Sequence, residues 1–484
     1  MLISNHTKTA QAQANKKPAA KAKPAAEEGG QDIKDWTVLM YIAGDNDLEP
    51  YAAHMMQQIE DKCGTTENIN VVAQLGRMEQ GDLKKLYEGQ GRKYEPTGID
   101  GDWGGMRRYL VTQQDRTEDQ SGKILSKVIG KPTDKKMSDA TTLADFLVYG
   151  MKNYPSKHTM VVLADHGGGW LGAFTSDASA SGHSIMTPDQ ISSAFKIAET
   201  ATGKKPEVVD MVACLMATSE VAYQMKDRAK YLLASEEIGT TASFDYGPII
   251  AGIDAASKGD KTVSPKTLAK TIVHHYDNDP DAFKTKSAVD LPKMVAVKET
   301  FKALVDQLKA SKVAPEAVAA AIEGAQNFGI TEQAIYPFYD QIRDLKGLAD
   351  NLTNSDLIDD KKVRLAAKAV SLAVEATVVD NLAHDYKRYE DRGEGRTTDG
   401  KETFKDVRVY EGTYDSHGLS VFAPLSEKLV KSAKMGEYAA LDFTKETGWG
   451  DYISGLNKAL VANAAARAEA ETGVVARPHT PPEA

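Results

Sequence analysis

The chain reads as an α/β fold, a mostly parallel sheet flanked by helices, followed by a mainly helical C-terminal region. Three observations carry this. Short apolar runs rich in β-branched residues recur from Trp36 to Ser235. Stretches with apolar residues at helical spacing separate them, and alternating strands and helices imply a parallel sheet covered on both faces. Beyond about residue 260, Ala-, Lys- and Leu-rich stretches of helical composition take over.

Residues 1–34 are rich in Ala, Lys, Pro and Gln, as in Asn15-Lys16-Lys17-Pro18, and read as a disordered tail. Order begins at Trp36, where Trp36–Ala43 is a buried strand by length and β-content. Gly44-Asp45-Asn46-Asp47 ends it in a turn able to cap a helix over about 48–61. Ile69–Leu75 and Met106–Val111 are further strands. Ser138-Asp139 caps a helix through Leu143, Phe146, Leu147 and Met151. Thr159–Asp165 is a strand, Thr187-Pro188-Asp189 opens a helix with Pro in its first turn, and Val208–Ala213 and Tyr231–Ser235 are strands. Helical stretches follow at 265–276, 292–310, 314–327 and 361–386, with a short strand-like element at Gly418–Phe422. Residues 466–484 read as a second tail. The expected organisation is therefore an α/β domain over 35–258 and a mainly helical accessory region with a few strands over 259–465.

Two strand ends carry chemistry. One run stops at Asp165-His166-Gly167-Gly168-Gly169, the other at Ala213-Cys214-Leu215. In a parallel sheet the carboxyl ends of the strands share one edge, where ligands bind. Neighbouring strands would bring His166 and Cys214 together there, as a nucleophile and its general base. A free cysteine is more often a small buried hydrophobe. Here Leu-Met-Ala-Thr-Ser-Glu follows Cys214 as a helix start, whose positive end would lower the thiol pKa. Glycines after His166 allow a substrate backbone to come close, so the N–H groups of Gly167 and Cys214 are the candidate oxyanion donors. His-Gly-Gly-Gly also serves lipases, but those need a Gly-x-Ser-x-Gly elbow, which this chain lacks.

The bulk numbers exclude several classes. In 484 residues the formal net charge is −10, which argues against a nucleic-acid binder. Two cysteines, Cys63 and Cys214, make no disulfide framework, and Cys63, at a helix end, is structural or idle. No run approaches the ~18 apolar residues of a membrane span. The N-terminus shows no signal-peptide pattern. His274-His275-Tyr276-Asp277-Asn278-Asp279-Pro280-Asp281 has metal-ligand types without zinc or EF-hand spacing, and reads as a solvated helix end.

At these residues the chain resembles the clostripain-like cysteine peptidases, within the caspase, legumain and gingipain group. Trp36–Leu48, Arg107–Val111, Thr142–Phe146 with Asn153-Tyr154-Pro155, His166-Gly167, Ala213–Ala217, Ala234–Glu237, Gly418–Pro424 and Thr447-Gly448-Trp449 carry the likeness. It implies a caspase-like sheet, polypeptide substrates, Cys214 as nucleophile and His166 as acid and base. No third triad member is implied, and Asp165 is assigned no role. Two departures stand out. Known members carry Asp two residues before the nucleophile, which favours Arg or Lys at the cleaved position; here it is Val212. Ser235, Glu236, Glu237 and Asp245 are the other substrate-binding candidates, and for the two glutamates a solvated loop is the competing reading. Members also cut themselves at a basic residue soon after the histidine, yet Leu171–Phe195 holds no Lys or Arg, so the Lys-rich 123–136 is the alternative. The dyad requires no cofactor; calcium, and an extracellular or periplasmic location, are implied by resemblance alone. The competing functions are a non-catalytic peptide-binding scaffold, and an amidase or transpeptidase using the same pair.

Overall fold

In the computed structural model, a nine-stranded sheet organises the chain. Residues 33–96, 98–176, 184–258, 262–279, 282–329, 338, 341–391 and 407–472 are described. The strands are β1 (Lys34–Ile42), β2 (Ile69–Arg77), β3 (Gly105–Leu110), β4 (Lys127–Thr133), β5 (Ser156–Ala164), β6 (Val208–Val212), β7 (Tyr231–Ala234), β8 (Thr285–Asp290) and β9 (Val378–Ala383). Their order across the sheet is β9-β8-β7-β6-β5-β1-β2-β3-β4. The five central strands, β7 to β2, pair in parallel, and the outer pairs at each edge are antiparallel. The fold is thus the caspase-like α/β architecture.

Alternation along the strands feeds two cores. Leu39, Tyr41, Val161, Leu163, Val209 and Met211 face one side, under the helices Ala140–Asn153, Pro188–Thr202 and Met294–Ala310. Val38, Met40, Met160, Val162, Val208 and Val212 face the other, against Glu49–Lys62, Gly247–Ala256 and Pro265–His275. Parallel strands covered on both faces are apolar throughout, which is why these runs stand out in the sequence.

Several local readings change. Asn46 does not cap the helix Glu49–Lys62, which begins after Leu48; its Oδ1 accepts from Leu48 N at 2.8 Å in a local turn. The stretch 361–386 is a helix only over Lys361–Thr377, then becomes β9. β8 and β9, from the helical-looking part of the chain, complete the central sheet, so the sheet crosses the boundary expected near 258. Residues from Lys34 onward form one compact unit. The last helix, Trp449–Thr472, continues past 465. The rest of that tail, and residues 1–32, lie outside the described residues.

Candidate active site

β5 and β6 lie side by side, with Ala164 opposite Val212. The chain then runs two residues past each strand, to His166 and to Cys214. The register therefore sets both residues level at the carboxyl edge of the sheet. The two turns touch. A methyl group on Gly167 would run into the Cys214 carbonyl oxygen and lie 2.9 Å from the Cys214 nitrogen, so only glycine fits there. Gly169 adopts φ 60° and packs less tightly, a methyl there lying 3.1 Å from the Leu215 carbonyl oxygen. Leu215 itself holds φ 63°, a conformation rare for a branched residue, where the chain swings away from the cysteine.

Asp165 organises the histidine turn. Its Oδ1 accepts from His166 N at 2.6 Å and Asn46 Nδ2 at 2.7 Å, and its Oδ2 accepts from Thr175 N at 2.6 Å. Burial pushes its carboxyl up, to about 8, against those donors and the nearby His166. Asp165 thus has a role that its place in the sequence hid. His166, about 41% exposed, meets Asp47 with Nε2 2.7 Å from Oδ1. Burial raises the Asp47 carboxyl, but His166 and Arg92 outweigh it and hold the group below its usual range. An ionised carboxylate only accepts, so Nε2 carries the proton and donates it. Asp47 is the second residue that sequence reasoning missed; it lies 119 positions from the histidine, and the one clue was its place in a polar turn ending β1.

Cys214 is half-buried, and its thiol donates to the Gly239 carbonyl oxygen at 3.5 Å. Burial pushes the thiol up, to about 11, with Glu237 and Asp165 adding to that and Gly239 opposing it. The expected lowering by a helix end is not found, because the next helix, Ser219–Gln224, starts after Thr218 and not at Cys214. Among the described residues the Gly167 N–H makes no backbone hydrogen bond, while the Cys214 N–H lies against its own thiol and opposes the rise.

The substrate-binding candidates are placed differently. Val212 is 1% exposed and packs in the apolar core on the Phe244 and Tyr246 side. Below it, Asp210 and Lys286 form a fully buried ion pair at 2.7 Å, with Tyr246 donating to Asp210 at 2.9 Å. Ser235 is buried, its hydroxyl donating to Glu237 O at 2.8 Å. Glu236 and Glu237 are buried, which overturns the solvated-loop reading. Glu236 accepts from Gly418 N at 2.8 Å and from the Ser416 hydroxyl; Glu237 accepts from Ile238 N and Gly329 N, both at 2.8 Å. Asp245 is half-exposed before the helix Gly247–Ala256.

Other sequence features lie elsewhere. Cys63 is buried, its thiol on the Gly64 carbonyl. His274 pairs with Asp277 and Asp380 at 3.1 and 3.3 Å. Among the described residues no three His, Cys, Asp or Glu side chains converge to hold a metal ion. Residues 123–136 include the exposed edge strand β4, and of Thr175–Gly182 residues 177–182 lie outside the described residues. Among the described residues no helix is long and apolar enough to cross a membrane.

Comparison with known proteins gives one family and one fold. The profile of the clostripain family, Peptidase C11, matches residues 40–455. A secreted C11 cysteine protease from Bacteroides thetaiotaomicron, in complex with an irreversible peptide inhibitor, is 16% identical with a TM-score of 0.54, covering 86% of this chain and 100% of that one. An inactive zymogen C11 protease from Parabacteroides distasonis is 18% identical with a TM-score of 0.56, covering 86% of this chain and 99% of that one. At these identities the likeness is one of fold. No curated protein matches the chain.

Proposed function

This chain belongs to the clostripain family of cysteine peptidases, and we propose that Cys214 and His166 are the pair through which it cuts peptide bonds. The observation that carries the reading is the β5–β6 register, which ends both strands level and lays Gly167 on the Cys214 backbone. The thiol gives its proton to His166, and the sulfur attacks the scissile carbonyl carbon. A C–S bond forms while the carbonyl π pair moves onto oxygen, beside the Gly167 and Cys214 N–H groups. The oxyanion collapses, the C–N bond breaks, and His166 returns its proton to the leaving amine. Water then attacks the thioester, losing a proton to His166; the C–S bond breaks, and the thiolate recovers that proton. A thiol raised by burial is a resting nucleophile, so on this reading substrate binding must bring the imidazole into use.

The same surroundings support a weak preference for Arg or Lys at the cleaved position. Val212 brings no carboxylate, Glu236 and Glu237 accept from backbone amides, and Asp210 already has Lys286. A basic preference would rest on Asp245 alone among the candidates. A substrate cation without a partner there would be costly to bury.

The test is digestion of a mixed peptide library, with and without calcium, beside Cys214→Ala. We expect cleavage that vanishes in Cys214→Ala, with Arg and Lys favoured over neutral residues by less than ~10-fold, about 1.4 kcal/mol. Turnover retained in Cys214→Ala would sink the mechanism. A strong basic preference that Asp245→Asn removes would assign that carboxylate to the pocket.

A further inference from the structure

We propose that Asp47 is a positioning residue for His166: it holds the Nε2–H and turns the ring so that the proton exchanged with Cys214 travels through Nδ1. The inference rests on the reading of Cys214 and His166 as the reacting pair. Asp47 is held from several sides. Oδ1 receives His166 Nε2 at 2.7 Å, Oδ2 receives Arg92 at 2.6 Å, and the backbone carbonyl receives the Tyr87 hydroxyl at 2.9 Å. The preceding Asn46 is tied to Asp165 and to the Thr175 carbonyl, at 2.7 and 2.9 Å. One turn thus links the end of β1 to the histidine turn after β5 through two adjacent residues. Such a frame fixes an imidazole within a narrow range of orientations.

A surface ion pair would be the plainer account of Asp47 and Arg92, and such pairs contribute little. The geometry departs from that account. The Asp47 side chain is 15% exposed, and one of its two oxygens is given wholly to the imidazole while the other takes the guanidinium. A carboxylate at that distance favours the imidazolium that must accompany a thiolate. Among the described residues, the titratable groups acting on this pair include Arg92 on Asp47 and Asp165 beside His166.

The experiment measures cleavage, and alkylation of Cys214 by iodoacetamide, across pH in the full chain, Asp47→Asn, Arg92→Gln and Cys214→Ala. In Asp47→Asn the cleavage kcat should fall roughly 100-fold with KM within about threefold, the scale of a misplaced acid–base group. The alkaline limb of the profile should also move to lower pH, because the imidazolium loses its carboxylate. If Asp47→Asn does not fold, Arg92→Gln decides. It leaves the carboxylate in place and frees it of a competing cation, so the same limb should move to higher pH. Limbs that stay put in every folded variant would overturn the role of Asp47, even where activity falls. Cysteine-directed alkylation and cleavage surviving in Cys214→Ala would sink the reacting pair itself, a failure that is distinguishable from the first.

Discussion

Asp165 and Glu236 stand on either side of β6, one just past β5 and the other just past β7, and both are buried. Their surroundings are opposite. Asp165 is met by three donors, from Asn46, His166 and Thr175, none of which can take a proton from it. Glu236 is met by two donors, Ser416 and Gly418, and by the carboxyl of Asp344, which can. Burial raises both groups. Only Glu236 has a partner that stabilises the neutral acid, and Asp344 in turn holds the His417 imidazole above its ordinary value. Equal burial therefore produces two devices. The Asp165 side binds the histidine turn through oxygens that must both accept. The Glu236 side is a raised, buried carboxyl next to a second one, tying the loop beside Cys214 to the late part of the chain through Ser416 and Gly418.

The sharpest way to break the histidine side is Gly167→Ala. The added methyl meets the Cys214 carbonyl oxygen and the Ala213 side chain, so the two turns must part. We expect activity to fall by more than ~100-fold while stability drops by roughly 1–3 kcal/mol, the range for overpacking. Peptide turnover alongside thermal unfolding separates the two. Activity within threefold of the parent would show that the contact between the turns does not govern the chemistry.

Asp165→Asn should have the next largest effect. The amide replaces one accepting oxygen with a donor, which then faces a donor from Asn46, His166 or Thr175. Leaving one such buried group unsatisfied costs about 1–3 kcal/mol. Chemical denaturation reads the loss directly, and activity should fall with it because His166 N is one of the three. A variant as stable as the parent would mean that the donors are satisfied by other means and that the contrast with Glu236 is false.

The two devices were not equally legible in the sequence. His166 and Cys214 end short, mostly apolar runs broken only by Asp165 and Asp210, the look of a central parallel strand covered on both faces. Asp165 and Asp47 sit in or beside those runs, but nothing local says which residues their carboxylates reach, since partners such as Thr175 and His166 lie on other turns. The Glu236 brace was hidden more deeply, because Ser416 and Gly418 are about 180 residues away. β8, Thr-Lys-Ser-Ala-Val-Asp, looks polar because Lys286 is there to answer Asp210 on a neighbouring part of the sheet. The strand in 361–386 left a trace in Thr377-Val378-Val379, where β-branched residues interrupt an alanine-rich helix. Without knowing that the sheet needed another edge, that trace is too short to weigh.

Glu236→Gln should have the smallest effect, and its sign depends on pH. Glutamine keeps an oxygen for Gly418 and Ser416 and presents an N–H toward Asp344, as the neutral acid does, so near pH 5 the change should stay under about 1 kcal/mol. The parent behaves differently as pH rises. A glutamate whose folded pKa lies above its unfolded 4.5 contributes stability that is fully present below 4.5 and is lost as pH climbs through the folded value. Glutamine has no such titration. The difference in unfolding free energy should therefore drift in favour of Glu236→Gln from pH 5 to pH 8, measured at each pH by urea denaturation of the two proteins. A drift in the other direction would mean that Glu236 is held as an anion, and that the Asp344 carboxyl does not favour its neutral form.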